Sequence, residues 1–144
     1  MKFSIITPTY KRADALKRAI QSVVQQTYSD WEMIIINDSP TENAYIGLEK
    51  NIPDPRIIYL KNTENKGVNY SRNRGLDNLS PQSDWVIFLD DDDYLALDAL
   101  ETLFRLIQNH PANKWFITNR AYANGKSMTR FPASDHTYSY ALDY

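Results

Sequence analysis

Four short, largely apolar runs recur along this chain, and no other feature narrows its fold as far. They are Phe3–Thr7, Trp31–Ile36, Arg56–Leu60 and Trp85–Leu89. None alternates apolar with polar residues, as a half-solvated strand does, so each reads as a strand covered on both faces. Between them the period changes. Residues 12–26 place Leu16, Ala19, Ile20, Val23 and Val24 on one helical stripe. Residues 97–109 do the same with Leu97, Leu100, Leu103, Phe104 and Ile107, and Pro111 stops the pattern. Residues 68–79 predict a helix anchored by Leu76 and Leu79, and 41–50 a weaker one. Pro8 is expected to end the first strand, and a fifth strand is predicted over Trp115–Thr118. Strands alternating with helices predict an α/β fold, a Rossmann-like and mostly parallel sheet flanked by helices, with right-handed crossovers.

The 144 residues suffice for one domain, residues 1–144, and a hydrophobic fraction of 42% is ordinary for a globular core. A formal net charge of -2 provides no basic field to hold nucleic acid. Cysteine is absent, which excludes disulfides and thiolate metal sites and suits a reducing compartment. The two histidines, His110 and His136, stand at no metal-ligand spacing. No apolar stretch approaches the roughly 20 residues of a membrane span, and no secretory signal opens the chain. The expectation is a cytoplasmic protein, with peripheral attachment at an inner membrane left open. An exposed sheet edge leaves a homo-oligomer open as well. From Gly125 onward the chain turns to Ser, Thr, Tyr and Ala without a period, like a segment lacking its structural context.

In an open α/β sheet, ligands bind beyond the carboxyl ends of the strands. Here those ends are polar. The first run is followed by Pro8, Thr9, Tyr10, Lys11 and Arg12, the second by Asn37, Asp38, Ser39 and Pro40, and the fourth by Asp90, Asp91, Asp92 and Asp93. Four adjacent carboxylates repel one another at a cost. A hard divalent cation relieves that cost through oxygen ligands, and so does water on a solvated loop. A lone acid at one strand end and an acidic cluster at another suit a nucleoside diphosphate, the acid for a base N–H or ribose hydroxyl and a cation for the phosphates. Asp38 can instead cap a helix or hold a turn. Lys11, Arg12 and Arg74 read as solvated cations, Asp98 as part of the last helix start, and Gly67 and Gly75 as a turn and a close-packing point. Trp31, Trp85 and Trp115 read as core.

The opening SIITPTYKRADALKRAIQSVVQQTYSDWEMIIINDSPTEN and the later NKGVNYSRNRGLDNLSPQSDWVIFLDDDDYLALDALETL resemble family 2 glycosyltransferases of the GT-A fold. The family shows a PTYN-type turn, a DDGSTD-type end of the second strand, an ARN element and an LDxDD metal motif, and residues 3–109 carry counterparts in that order. The resemblance implies that Thr7, Pro8 and Tyr10 form the turn beside the nucleobase and that Asp38 contacts the base. It places Arg72 and Asn73 near base and diphosphate, Asp90 and Asp92 as the metal-motif acids with Asp92 the better direct ligand, and Asp91 at the variable position on the nucleotide-sugar side. Asp93 is the common extra acid. It further implies a nucleotide-diphosphate-sugar donor, UDP-linked as the commonest case, a Mn or Mg ion, and inverting transfer to a carbohydrate or lipid-linked acceptor, as in cell-wall and polysaccharide biosynthesis.

The chain departs from the pattern at Lys11 for Asn, Asn37 for the first acid, and Ser39-Pro40 for Gly-Ser, which fixes φ at Pro40. These changes bear on the base contact. Nothing after Thr118 matches the family's acceptor region, and Asp135 and Asp143 lack the context of a general base. The expectation is therefore a donor-binding half, with its general base beyond Tyr144. A non-catalytic nucleotide-sugar-binding domain fits the same residues. An EF-hand does not, since Tyr94 and Leu95 fall where its loop needs an oxygen ligand and glycine. Neither a P-loop nor a GxGxxG fingerprint is present. A glycosidase carboxyl pair is not excluded by spacing alone.

Overall fold

A computed structural model describes residues 1–116. The predicted strand at 115–118 runs past that limit, and Asp135, His136 and Asp143 lie outside it. The elements are β1 (Lys2–Thr9), α1 (Ala13–Val24), β2 (Trp31–Asn37), α2 (Ala44–Lys50), β3 (Ile57–Lys61), α3 (Val68–Leu76), β4 (Ser83–Phe88) and α4 (Ala99–Asn109). All four strands are parallel, in the order β3-β2-β1-β4. The α/β architecture read from the alternating pattern is thus present. The chain divides into two compact units, Met1–Phe104 and Arg105–Tyr144, and the candidate site described below lies within the first. In the second, the end of α4 closes with the His110 N–H donating to the carbonyls of Leu106 and Ile107, followed by a turn from Asn113 N–H to His110 O.

The two inner strands carry the core. Every residue of β2 is buried, as is every residue of β1 after Lys2. The outer strands are not, and this corrects the reading of Trp85–Leu89 as a buried run. Among the described residues β4 pairs only with β1, and Phe88 at its end is half exposed. Apolar content alone does not distinguish an inner strand from an outer one that is hydrogen-bonded on one side.

α3 lies against the face of β1 and β2 that presents Ile6, Ile34 and Ile36, joined by Leu60, Leu79 and Val86. It touches the sheet through Ser71 and Gly75, not through Leu76, which is exposed. A Cβ at Gly75 would stand 2.5 Å from Ile6 Cγ2, so only glycine lets the helix come this close. Positions 71, 75 and 79 share the inward face at four-residue spacing, one position away from the predicted Leu76 anchor.

Pro8 does not end β1. The strand continues to Thr9, with Pro8 opposite Ile36 and Thr9 opposite Asn37. In a parallel ladder, successive residues bond alternately to the two neighbouring strands. The Ile6 carbonyl accepts the Leu89 N–H, and the Thr9 carbonyl accepts the Asp38 N–H. The missing N–H of Pro8 therefore falls on the β4 side, where the last paired residues are Ile6 and Phe88. Proline is tolerated because β4 has already left the sheet. The divergence opens a crevice beside Pro8 and Thr9, where the strand order reverses.

Candidate nucleotide-sugar site

Asp38 follows β2 and is buried. Its Oδ1 accepts from Asn62 Nδ2 at 2.6 Å and from the Lys66 N–H at 2.8 Å, and its Oδ2 accepts from the Gly67 N–H at 2.8 Å. Gly67 holds φ 85°, the single glycine in the left-handed region among the described residues, and this turn aims two successive N–H groups at the carboxylate. Asp38 thus anchors the start of α3. A carboxylate has about four acceptor positions, and three are used, leaving a lone pair on Oδ2. Asn62, buried after β3, is a hub missed at the sequence level. It also donates to Ser71 Oγ at 3.0 Å and accepts from Arg74 Nη1 at 2.6 Å. Arg74 is therefore not a solvated cation; it also holds the Lys61 carbonyl at 2.8 Å.

The acid loop leaves β4 with a turn from Asp93 N–H to Asp90 O, and its four members differ. Asp90 is partly exposed and pairs with Arg72 Nη2 at 2.8 Å. Asp91 is buried and folds back onto β1, accepting from Thr9 Oγ1 at 2.8 Å. Asp92 is about half exposed, at 51%, and pairs with Arg12 Nη1 at 2.8 Å; the same nitrogen lies 3.3 Å from Asp91 Oδ1. Arg12 was read as solvated, and the structure instead turns it into the acid loop. Asp93 has partners of its own.

Behind the loop sits Tyr45, a buried residue of α2. Its hydroxyl lies 2.7 Å from Thr9 Oγ1 and accepts from the Arg12 N–H at 2.9 Å. An ionised Asp91 can only accept, so Thr9 donates to it and Tyr45 donates to Thr9. Four residues from three segments close a ring: Tyr45, Thr9, Asp91 and Arg12. Burial raises the Tyr45 pKa, which keeps the phenol protonated for this role.

Of the other expected residues, Thr7 is fully buried on β1 and its Oγ1 has no partner among the described residues. Pro8 borders the crevice. Tyr10 is exposed, with Lys11 Nζ 5.2 Å from its ring centre. Arg72 lies with its guanidinium 5.5 Å from the Phe88 ring centre, and its buried Nε has no partner among the described residues. Asn73 is exposed on α3. The ends of β1, β2 and β4 thus bring Thr7, Pro8, Asp38, Arg72 and Asp90–Asp92 to one edge of the sheet, with Asp38 and Asp92 on either side of β1.

Among the described residues, no three His, Cys, Asp or Glu side chains are grouped to enclose a metal ion. Two open carboxylates, Asp90 and Asp92, are nevertheless the donor set that Mg²⁺ takes when phosphate oxygens and waters complete its shell. The donor chemistry fits a hard cation that arrives with a diphosphate.

A parallel α/β sheet with polar groups gathered at its switch point matches the architecture of the GT-A fold. The family model "Glycosyl transferase family 2" matches residues 4–142, and the chain belongs to that family. A GalNAc(5)-diNAcBac-PP-undecaprenol beta-1,3-glucosyltransferase from Campylobacter jejuni is 40% identical over 108 residues, covering 72% of this chain and 34% of that protein. The putative colanic acid biosynthesis glycosyl transferase WcaA of Escherichia coli is 31% identical over 143 residues, covering 93% of this chain and 50% of that one. S. aureus TarS 1–349 in complex with UDP-GlcNAc superposes with a TM-score of 0.69 at 25% identity, over 77% of this chain and 32% of that chain. The chain thus spans half or less of the length of these relatives. Among the described residues no helix is long and apolar enough to cross a membrane.

Proposed function

We propose that this chain is the donor-binding half of a glycosyltransferase that takes a nucleotide-diphosphate sugar, most simply UDP-linked, and serves transfer to a carbohydrate or lipid-linked hydroxyl. The observation that carries this reading is the pair of open carboxylates, Asp90 and Asp92, held among the described residues by the arginine side chains Arg72 and Arg12 at the crevice beside β1. The UDP-GlcNAc complex of TarS and the undecaprenol-linked acceptor in the name of the Campylobacter relative support the donor and acceptor classes.

Thr7, Pro8 and Tyr10 form the wall beside the base. Asp38 contributes its remaining Oδ2 lone pair to a base N–H or ribose hydroxyl. Arg72 and Asn73 stand on α3 for the diphosphate, with Asp91 orienting Arg12 and Thr9 at its flank. Asp90 and Asp92 would hold a Mn or Mg ion, which when bound would supply charge neutralisation for the departing nucleoside diphosphate. In the whole enzyme a carboxylate beyond Tyr144 takes the proton from the acceptor hydroxyl, which attacks the anomeric carbon opposite the leaving group and inverts it.

Calorimetric titration of UDP, GDP and dTDP into the chain, with Mn²⁺ and then with chelator, tests this. Binding of one nucleotide that depends on Mn²⁺ is expected. Absence of nucleotide binding under both conditions contradicts the reading.

A further inference from the structure

We infer that Arg12 is a built-in counter-cation of the acid loop, one that competes with the divalent cation for Asp92 until the donor binds. The inference rests on the cation reading above and gives a role of its own to Arg12, which that reading places only at the flank of the site.

Arg12 is an unfavourable choice for its own position. It is the N-cap of α1 and makes no side-chain capping bond. N-caps favour Ser, Thr, Asp or Asn, and a cation at the positive end of a helix is repelled by the macrodipole. The backbone before it is strained as well, since Lys11 holds φ 56°, the one non-glycine in the left-handed region among the described residues. Two side chains hold this conformation, Ser39 Oγ accepting from the Lys11 N–H and Tyr45 OH from the Arg12 N–H, each at 2.9 Å. What these costs secure is one guanidinium nitrogen facing two aspartates, Asp91 and Asp92.

The two contacts are unequal. Asp91 is buried and keeps Thr9 as a second partner, whereas the Asp92 side chain is half exposed and its one identified partner is Arg12. Asp92 can therefore be given up to another cation while Asp91 retains Arg12. A dication on Asp92 faces the guanidinium charge at short range, so Arg12 weakens cation binding by the nucleotide-free chain. Arrival of a diphosphate supplies negative charge that offsets this repulsion. Cation and donor then bind together in preference to the cation alone.

The test is Mn²⁺ binding followed by the electron paramagnetic resonance of the free ion, on the 144-residue chain and on its Arg12→Gln and Arg12→Lys variants, without nucleotide. Thermal unfolding checks that each variant is folded. Arg12→Gln is expected to bind Mn²⁺ about tenfold more tightly than the parent, and Arg12→Lys, which keeps the charge, to stay within about twofold of it. Equal or weaker Mn²⁺ binding by Arg12→Gln overturns the inference. If Mn²⁺-dependent UDP binding persists in that case, the cation reading stands and only the role of Arg12 is lost. If no protein binds Mn²⁺ even with UDP present, both fall.

Discussion

The two ends of the sheet each gather carboxylates, and they partner them differently. At the amino end Glu32 of β2 accepts from Ser4 Oγ at 2.6 Å, from the Ser80 N–H at 2.9 Å and from Lys2 Nζ at 3.0 Å, and Ser4 continues to Ser83 Oγ at 2.7 Å. At the carboxyl end Asp90 and Asp92 are met by guanidinium groups from Arg72 and Arg12, with part of each carboxylate open. Glu32 is held by a short serine hydroxyl and a backbone N–H that cannot leave, with Lys2 added at the rim. The acids at the other end are held by long side chains that can. A buried acid whose partners are fixed is a structural tie, and one whose partners are long and exposed can exchange them for a ligand. Asp38 stands between the two cases, with two fixed backbone donors and one acceptor position left over.

The comparison is broken most severely at the closed end. Glu32→Ala leaves Ser4, Lys2 and the Ser80 N–H without their acceptor and is expected to cost about 3 kcal/mol in chemical denaturation, with UDP affinity unchanged in whatever fraction stays folded. Next in size is Gly75→Val. Its added bulk meets Ile6 and Ile36 under α3 and is expected to cost about 2 kcal/mol. Because α3 also carries Arg72, this variant is expected to weaken nucleotide binding as well, which separates it from Glu32→Ala.

Acid titration sharpens the contrast further. Burial alone would raise the Glu32 pKa, but the hydrogen bonds from Ser4, Ser80 and Lys2 more than offset it and hold the carboxyl below its ordinary 4.5. A lowered folded-state value means that this stabilisation is complete above about pH 4.5, the unfolded value, and is lost as pH falls through the folded value. Glu32→Gln should flatten the fall of the melting temperature over that acid range, with little change near pH 7 in its slope. An unaltered acid limb would show that Glu32 is not the group responsible.

Much of the fold was legible from period and order. The continuous apolar runs lie at the four strands, the stripes over residues 12–26 and 97–109 became α1 and α4, and Asp90–Asp93 sit at a strand end, as their position after Leu89 implied. What was not legible depends on who the neighbours are. Phe88 looks as apolar as Ile35, yet one lies on an outer strand and the other on an inner one. Leu76 has the residue type of an anchor, but Gly75 fixes the helix so close that the neighbouring face turns inward. The roles of Arg12, Tyr45 and Asn62 rest on contacts that reach across 24 to 80 residues of chain, and no local spacing announces them. Arg12 carries one visible hint in retrospect, a cation at the expected start of a helix, where the macrodipole disfavours it.

The smallest effect on stability should accompany the largest effect on binding, at Asp92. Asp92→Asn keeps shape and removes charge from a half-exposed side chain, so the ligand-free melting temperature should correspond to a change within about 0.5 kcal/mol. The decisive measurement is the rise in melting temperature produced by UDP with Mn²⁺ in the parent chain and in this variant. The parent is expected to be stabilised by UDP and Mn²⁺ together, and Asp92→Asn to lose that stabilisation while melting normally without ligand. An undiminished UDP and Mn²⁺ shift in Asp92→Asn would contradict the assignment of this open end of the sheet as the donor site's metal-binding edge.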